Sequence, residues 1–313
     1  MKSGVGRSVA CKLMALVMPV FVAFSAQAQE AGNTSLDAPN IVLIVADDVG
    51  FTDFGAYGSE INTPNIDQLA HRGVIFSNFH VSPVCAPSRA MLMTGVDSHL
   101  AGVGYLPESI PPELEGQAAY QGVLAPDVVT IASLLRDAGY HTYMTGKWHL
   151  GHGPGALPHE QGFERSFALD ATGGDNYEQR PYLPVLASPV WYADGVPVDL
   201  PNDFYSSRYF VDQTIDYIDS NRADGQPFFA YLPFLAVHIP IQAPAKFIDK
   251  YDGVYDEGWH VQRQNRFENA KALGLIPASA GSAMCQQDND NGMHNQQKTK
   301  KYLAKAWRST PGC

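Results

Sequence analysis

From Ile41 to Ala46 the chain is apolar at every position, with Asn40 before the run and Asp47-Asp48 after it. An unbroken apolar run of this length, without alternation, predicts a strand buried on both faces, as in a parallel sheet. Thr63-Pro64 then sets a helix start, as N-cap and first helical residue, and Gly73 closes it. Val74 to Phe79 predicts a second strand. Pro126 to Ala138 predicts an amphipathic helix ending at Gly139, with Ile131, Leu134 and Leu135 on one face. Tyr140 to Gly146 predicts a strand running into Lys147-Trp148-His149-Leu150-Gly151, and Tyr209 to Arg222 a helix with Val211, Ile215 and Ile218 at helical spacing. Phe228 to Leu232 is a further buried strand, leading to His238-Ile239-Pro240. Strands alternating with helices give an α/β fold with a mainly parallel sheet.

Composition sets the scale. With 313 residues, 45% hydrophobic and 17% charged, the chain can build one large α/β domain or two small ones. A formal net charge of −11 argues against nucleic acid as a partner. Residues 1–28 carry the pattern of a signal peptide: Lys2, Arg7 and Lys12, an apolar run from Leu13 to Phe24, then Ala26-Gln27-Ala28. The run is too short to span a bilayer. Its removal takes away basic residues only, and the remaining chain is expected in the periplasm or outside the cell, with no membrane attachment. Cys11 leaves with the signal, so Cys85, Cys285 and Cys313 remain, an odd count that leaves one thiol unpaired. Cys285 and Cys313 could pair with each other. Beyond Ala278 the hydrophobic periodicity stops: Ala283 to Gln297 is crowded with Gln, Asn and Asp, and Lys298, Lys300, Lys301, Lys305 and Arg308 follow. Residues 278–313 read as a disordered tail, or as the mark of a truncation or frameshift, and residues 39–277 as the folded domain.

Four groups of residues can carry chemistry. Asp47 and Asp48 end a strand, where open α/β sheets gather their ligands. Burying two carboxylates there is costly, and a hard divalent cation, Ca²⁺ or Mg²⁺, would offset that cost by oxygen ligation. In Cys85-Ala86-Pro87-Ser88-Arg89 the proline restrains Ala86 away from the helical region, which predicts Cys85 on a turn with a guanidinium nearby to hold negative charge. Lys147 and His149, two apart at a strand end, share one face and form a candidate oxyanion receptor. His238 sits in a proline-stiffened loop, and imidazole suits general-acid work near neutral pH. Asp288-Asn289-Asp290-Asn291-Gly292 lacks the sixth-position glycine and closing glutamate of a calcium loop.

The run Cys85-x-Pro87-Ser88-Arg89 followed by Met93-Thr94-Gly95 resembles the signature of type I sulfatases. Gly146-Lys147-Trp148-His149-Leu150-Gly151 matches the second sulfatase signature, and Gly162-Phe163-Glu164-Arg165 adds to a likeness to bacterial arylsulfatases that runs from Pro39 to Pro277. The resemblance implies an alkaline-phosphatase-like domain, a mainly parallel sheet flanked by helices, incomplete at its C-terminal end. It implies hydrolysis of a small sulfate ester by a formylglycine made from Cys85, with a formylglycine-generating enzyme as maturation partner. Asp47, Asp48 and the converted Cys85 would hold calcium. Arg89, Lys147 and His149 would neutralise sulfate oxygens, and His238 would touch the sulfate and protonate the leaving oxygen. A complete member continues further, with more metal ligands, another lysine and a smaller subdomain; whether Asp290 and Asn291 serve as ligands stays open. A phosphate or phosphonate monoester hydrolase of the same superfamily, or an inactive truncated fragment, are the competing readings.

Overall fold

The computed structural model describes residues 38–183 and 186–281. The signal-peptide pattern of residues 1–28, the Cys285 and Cys313 pair, the Asp288 to Gly292 stretch and nearly all of the tail lie outside the described residues. In chain order the elements are β1 (Ile41–Val45), α1 (Pro64–Arg72), α2 (Cys85–Thr94), α3 (Ile131–Asp137), β2 (His141–Lys147) and β3 (Arg165–Leu169). They continue with β4 (Trp191–Ala193), β5 (Val196–Val198), α4 (Ser206–Asn221), β6 (Phe228–Pro233), α5 (Ala245–Ile248) and α6 (Trp259–Ala272). One six-stranded sheet runs in the order β1-β6-β2-β3-β4-β5. Its first four strands are parallel, and β4 and β5 add an antiparallel hairpin at the far edge. Helices flank this mixed sheet, and none of those described is long and apolar enough to cross a membrane.

Two cores sandwich the sheet. On one face Met144, Phe229 and Tyr231 pack with Ala86, Ala90 and Met93 of α2 and with Ala132 of α3. On the other, Phe167, Trp191 and Leu232 pack against Phe210 of α4. The register pairs Val45 with Pro233 and Lys147 with Leu169, so the carboxyl ends of β1, β6, β2 and β3 lie side by side.

Several expectations fail for identifiable reasons. Strand β1 is not buried on both faces: Val42 and Ile44 are 51% and 56% exposed, because β1 is the sheet edge and α4 covers β2, β3 and β6 instead. Val74 to Phe79 forms no strand, and Val74, Phe76 and Phe79 are exposed; strand propensity without a pairing neighbour does not make a strand. The helix expected from Pro126 starts only at Ile131, because the Thr130 hydroxyl accepts the Ser133 N–H at 3.1 Å and caps it. Of its expected face, Leu135 packs on the core while Ile131 and Leu134 are exposed. Helix α4 starts at Ser206 and buries Phe210, Thr214 and Tyr217 rather than Ile215. The β4–β5 hairpin was readable from Asp194-Gly195, both of which take the positive φ values that a primed two-residue turn demands.

The turn expected at Cys85 is instead the first residue of α2. Pro87 falls in the first helical turn, where its missing N–H would have had no intrahelical acceptor, and the Ser88 N–H makes the first bond, to the Val84 carbonyl at 3.2 Å. Burial of Ala86, Pro87, Arg89, Ala90 and Met93 outweighs the local bias that proline imposes on Ala86.

At the opposite end of the sheet, His141 gives one ring nitrogen to Glu164 and the other to Asp224, each at 2.8 Å. Burial lowers its pKa, but the two carboxylates outweigh burial and raise it overall. A raised folded-state pKa contributes stability that is full below the unfolded value, near 6.5, and is lost as pH rises through the folded value. Thermal denaturation from pH 6 to 9 should therefore show a decline in Tm that His141→Gln flattens. Gly146, at φ +137, allows no side chain: an added Cβ would lie 1.9 Å from the Pro233 carbonyl oxygen. Gly146→Ala should cost about 2–4 kcal/mol, read by urea denaturation.

Candidate active site

Backbone pairing continues past the strand ends and builds the site's floor. Phe234 N–H donates to the Val45 carbonyl, Asp47 N–H to Ala236 and Val237 N–H to Asp47, all within 2.8–2.9 Å. These bonds hold Asp47 beside the loop that carries His238. Trp148 N–H donates to the Leu169 carbonyl at 2.8 Å, and its buried indole N–H to Ala156 at 2.7 Å, which anchors the segment between Lys147 and His149.

Asp47 is the centre of charge. Its Oδ2 accepts from Lys147 Nζ at 2.6 Å, and its Oδ1 lies 3.3 Å from Arg89 Nη2. All three side chains are buried, Lys147 completely. Burial pushes the Asp47 pKa up, yet the Arg89 and Lys147 charges outweigh burial and hold it below the usual carboxylate range. Arg89 spends Nη1 on the Lys147 carbonyl at 2.7 Å, while its Nε and Nη2 have no aligned hydrogen-bond partner among the described residues. Arg89 thus sits beneath the site, one helical turn below Cys85.

Lys147 and His149 do reach one site, though not by strand alternation. His149 leaves the strand geometry at φ 60, a left-handed conformation uncommon outside glycine. The kink turns Nδ1 to within 3.4 Å of Cys85 Sγ. Its Nε2 meets Glu108 Oε2 at 3.0 Å, and Glu108 Oε1 accepts the Thr172 N–H at 3.0 Å. Burial lowers the His149 pKa to about 4, helped by the Lys147 and Arg89 charges, so the ring is neutral at pH 7. Burial acts to raise Glu108, but the bond and charge of His149 prevail and hold its carboxyl at about 2. Sequence reading missed Glu108, which lies 41 residues from His149 in a short 3₁₀ turn and carries no motif of its own. His152 stands between Glu108 and Asp170, 3.4 Å from the latter, and the hydrogen bond it donates to the Asp170 carboxylate raises its pKa.

Asp48 also has a positive φ, 63, and its side chain is 61% exposed, with His238 Nε2 3.9 Å from Oδ2. His238 is otherwise screened from solvent; its Nδ1 bonds the Ile239 carbonyl at 2.7 Å and its ring meets Tyr182 edge-on. Among the described residues only three non-glycine positions have φ in the left-handed region, and Asp48 and His149 are two of them. Strain of about 1–3 kcal/mol per residue persists only where the surroundings enforce it, and it concentrates at functional sites.

Asp47 and Asp48 are oxygen donors of the right hardness for calcium or magnesium. Two carboxylates are too few, however, and Lys147 and Arg89 already engage both Asp47 oxygens. Among the described residues no group of three or more His, Cys, Asp or Glu is placed to hold a metal ion. These residues alone do not make a metal centre. Asp47→Asn should leave two buried cations facing a neutral amide and cost about 3–5 kcal/mol in denaturant unfolding. Adding Lys147→Met to it should recover part of the loss, measured as a double-mutant cycle.

The sulfatase family model matches residues 39–305. An uncharacterized sulfatase of Schizosaccharomyces pombe is 44% identical over 76% of this chain and 45% of its own length. The arylsulfatase of Klebsiella aerogenes is 37% identical over 85% of this chain and 56% of its own. Among solved structures, Ps i-CgsB in complex with k-i-k-neocarrahexaose aligns with a TM-score of 0.59 at 29% identity, over 76% of this chain and 53% of that one. A protein solved with its substrate D-Glucosamine-2-N, 6-O-disulfate aligns at a TM-score of 0.54 and 27% identity, over 69% of this chain and 38% of that one. The chain spans about half the length of the curated relatives it matches. Its motifs, its sheet and these likenesses agree: the chain belongs to the sulfatase family.

Proposed function

We propose that the chain hydrolyses sulfate monoesters, with residue 85 as the nucleophile position. The observation that carries this reading is the contact between Cys85 Sγ and His149 Nδ1 at 3.4 Å, above a buried Arg89–Asp47–Lys147 cluster. Two positive charges there face the single charge of Asp47, which leaves one net positive charge beneath residue 85. An anionic ester with its sulfur over Cys85 would be drawn to that charge, and a low local dielectric strengthens the attraction.

A formylglycine at position 85, installed by a formylglycine-generating enzyme, would supply in its hydrated form one hydroxyl to attack sulfur and another through which sulfate is released. Cys85 is only partly buried, so the position is open to substrate. Neutral His149 offers Nδ1 as a proton acceptor beside that position. Lys147 and Arg89 balance charge on the sulfate oxygens, Arg89 from below. Nδ1–H of His238 donates to the Ile239 carbonyl, so when the ring is also protonated at Nε2, that second proton can pass to the departing oxygen. Calcium or magnesium at Asp47, Asp48 and residue 85 would take further donors from outside the described residues, and none of these roles depends on it. The amino-terminal pattern of residues 1–28 supports action in the periplasm or outside the cell.

The test compares nitrophenyl sulfate with nitrophenyl phosphate, using full chain from a host that carries out the maturation. Sulfate turnover should exceed phosphate turnover, Cys85→Ala should abolish it, and Lys147→Ala should lower kcat/KM by about 10²–10³-fold. Peptide mass spectrometry should find formylglycine at position 85. Formylglycine present without release of sulfate would overturn the proposal.

A further inference from the structure

Glu108 is used by none of the roles above, yet its carboxylate is fully engaged. One oxygen faces His149 Nε2 at 3.0 Å, and the other accepts the Thr172 N–H at 3.0 Å. A carboxylate ionised at neutral pH can only accept hydrogen bonds, so the imidazole must place its proton on Nε2. A neutral ring protonated there keeps a bare lone pair on Nδ1, the nitrogen 3.4 Å from Cys85 Sγ. Burial removes water as a competing partner, since His149 is fully buried. Thr172 in turn fixes the carboxylate plane, and the left-handed backbone at His149 fixes the direction of the ring.

From this geometry we infer that Glu108 is a positioning residue: it locks His149 in the Nε2–H tautomer and so presents a proton-accepting Nδ1 to residue 85. Nucleophile, imidazole and orienting carboxylate stand in the order seen whenever a base has to be both aimed and held in one tautomer. The consequence for proton handling at residue 85 rests on the hydrolase reading; the tautomer itself does not. The role requires two acceptor oxygens. A glutamine offers only one, and the Thr172 N–H and the His149 Nε2–H would compete for it. If Thr172 wins, the amide NH₂ faces Nε2 and drives the ring proton to Nδ1, against residue 85.

Long-range ¹H–¹⁵N correlation of the ¹⁵N-histidine-labelled full chain at one neutral pH reads the tautomer directly. The wild-type chain should show His149 protonated at Nε2 and bare at Nδ1. Glu108→Gln should lose that single tautomer, with kcat on nitrophenyl sulfate falling about tenfold or more and KM little changed. Glu108→Ala should lose the tautomer as well. A wild-type ring protonated at Nδ1 overturns the inference whether or not any variant folds. So does a folded Glu108→Gln chain that keeps both the Nε2–H tautomer and wild-type kcat. Absence of sulfate release by the wild-type chain would instead sink the hydrolase reading, while the nitrogen spectrum still decides the role of Glu108.

Discussion

One carboxylate organises this end of the molecule. Asp47 lies buried between a lysine from β2 and an arginine from α2, so three elements distant in sequence are tied at a single charged point. Neither cation could be buried there without it, because an isolated charge in the interior is prohibitively costly. The cluster also carries more positive than negative charge, so the three side chains that tie these elements together leave one net positive charge beneath Cys85. Residue 85 opens the helix whose next turn supplies Arg89, which places Cys85 directly over that charge.

Strand-to-strand pairing explains why the cluster is accurately placed. The bonds of β1 with β6 and of β2 with β3 continue one to four residues beyond the strands, through Asp47, Val237 and Trp148. Asp47 and the segment from Lys147 to His149 therefore sit on hydrogen-bonded backbone just past the strand ends, while Cys85 and Arg89 sit on helix α2. Rigid support of this kind is what a site requires when distances of a few tenths of an ångström matter.

Much of this was legible in the sequence. The apolar runs at Ile41–Val45 and Phe228–Pro233, and the acid, lysine and histidine residues at strand ends, located both the parallel sheet and the side chains that meet on it. What could not be read were properties that depend on neighbours. Whether β1 is covered on its second face depends on how far α4 reaches, and whether Val74–Phe79 forms a strand depends on a partner. The helical start at Cys85 depends on core packing outvoting a proline. Glu108 stayed invisible because its significance arises from a fold that brings a 3₁₀ turn against the end of β2, and a lone glutamate in a loop has no periodic or motif signature. Asp194-Gly195, by contrast, was a local signal and could have been read.

The left-handed backbone at Asp48 sets durability against chemistry. That side chain stands mostly in solvent and contributes little packing, so a glycine in its place would relax the main chain and lose almost nothing by way of contacts. On stability grounds alone, a glycine would serve this position better than the acid it carries.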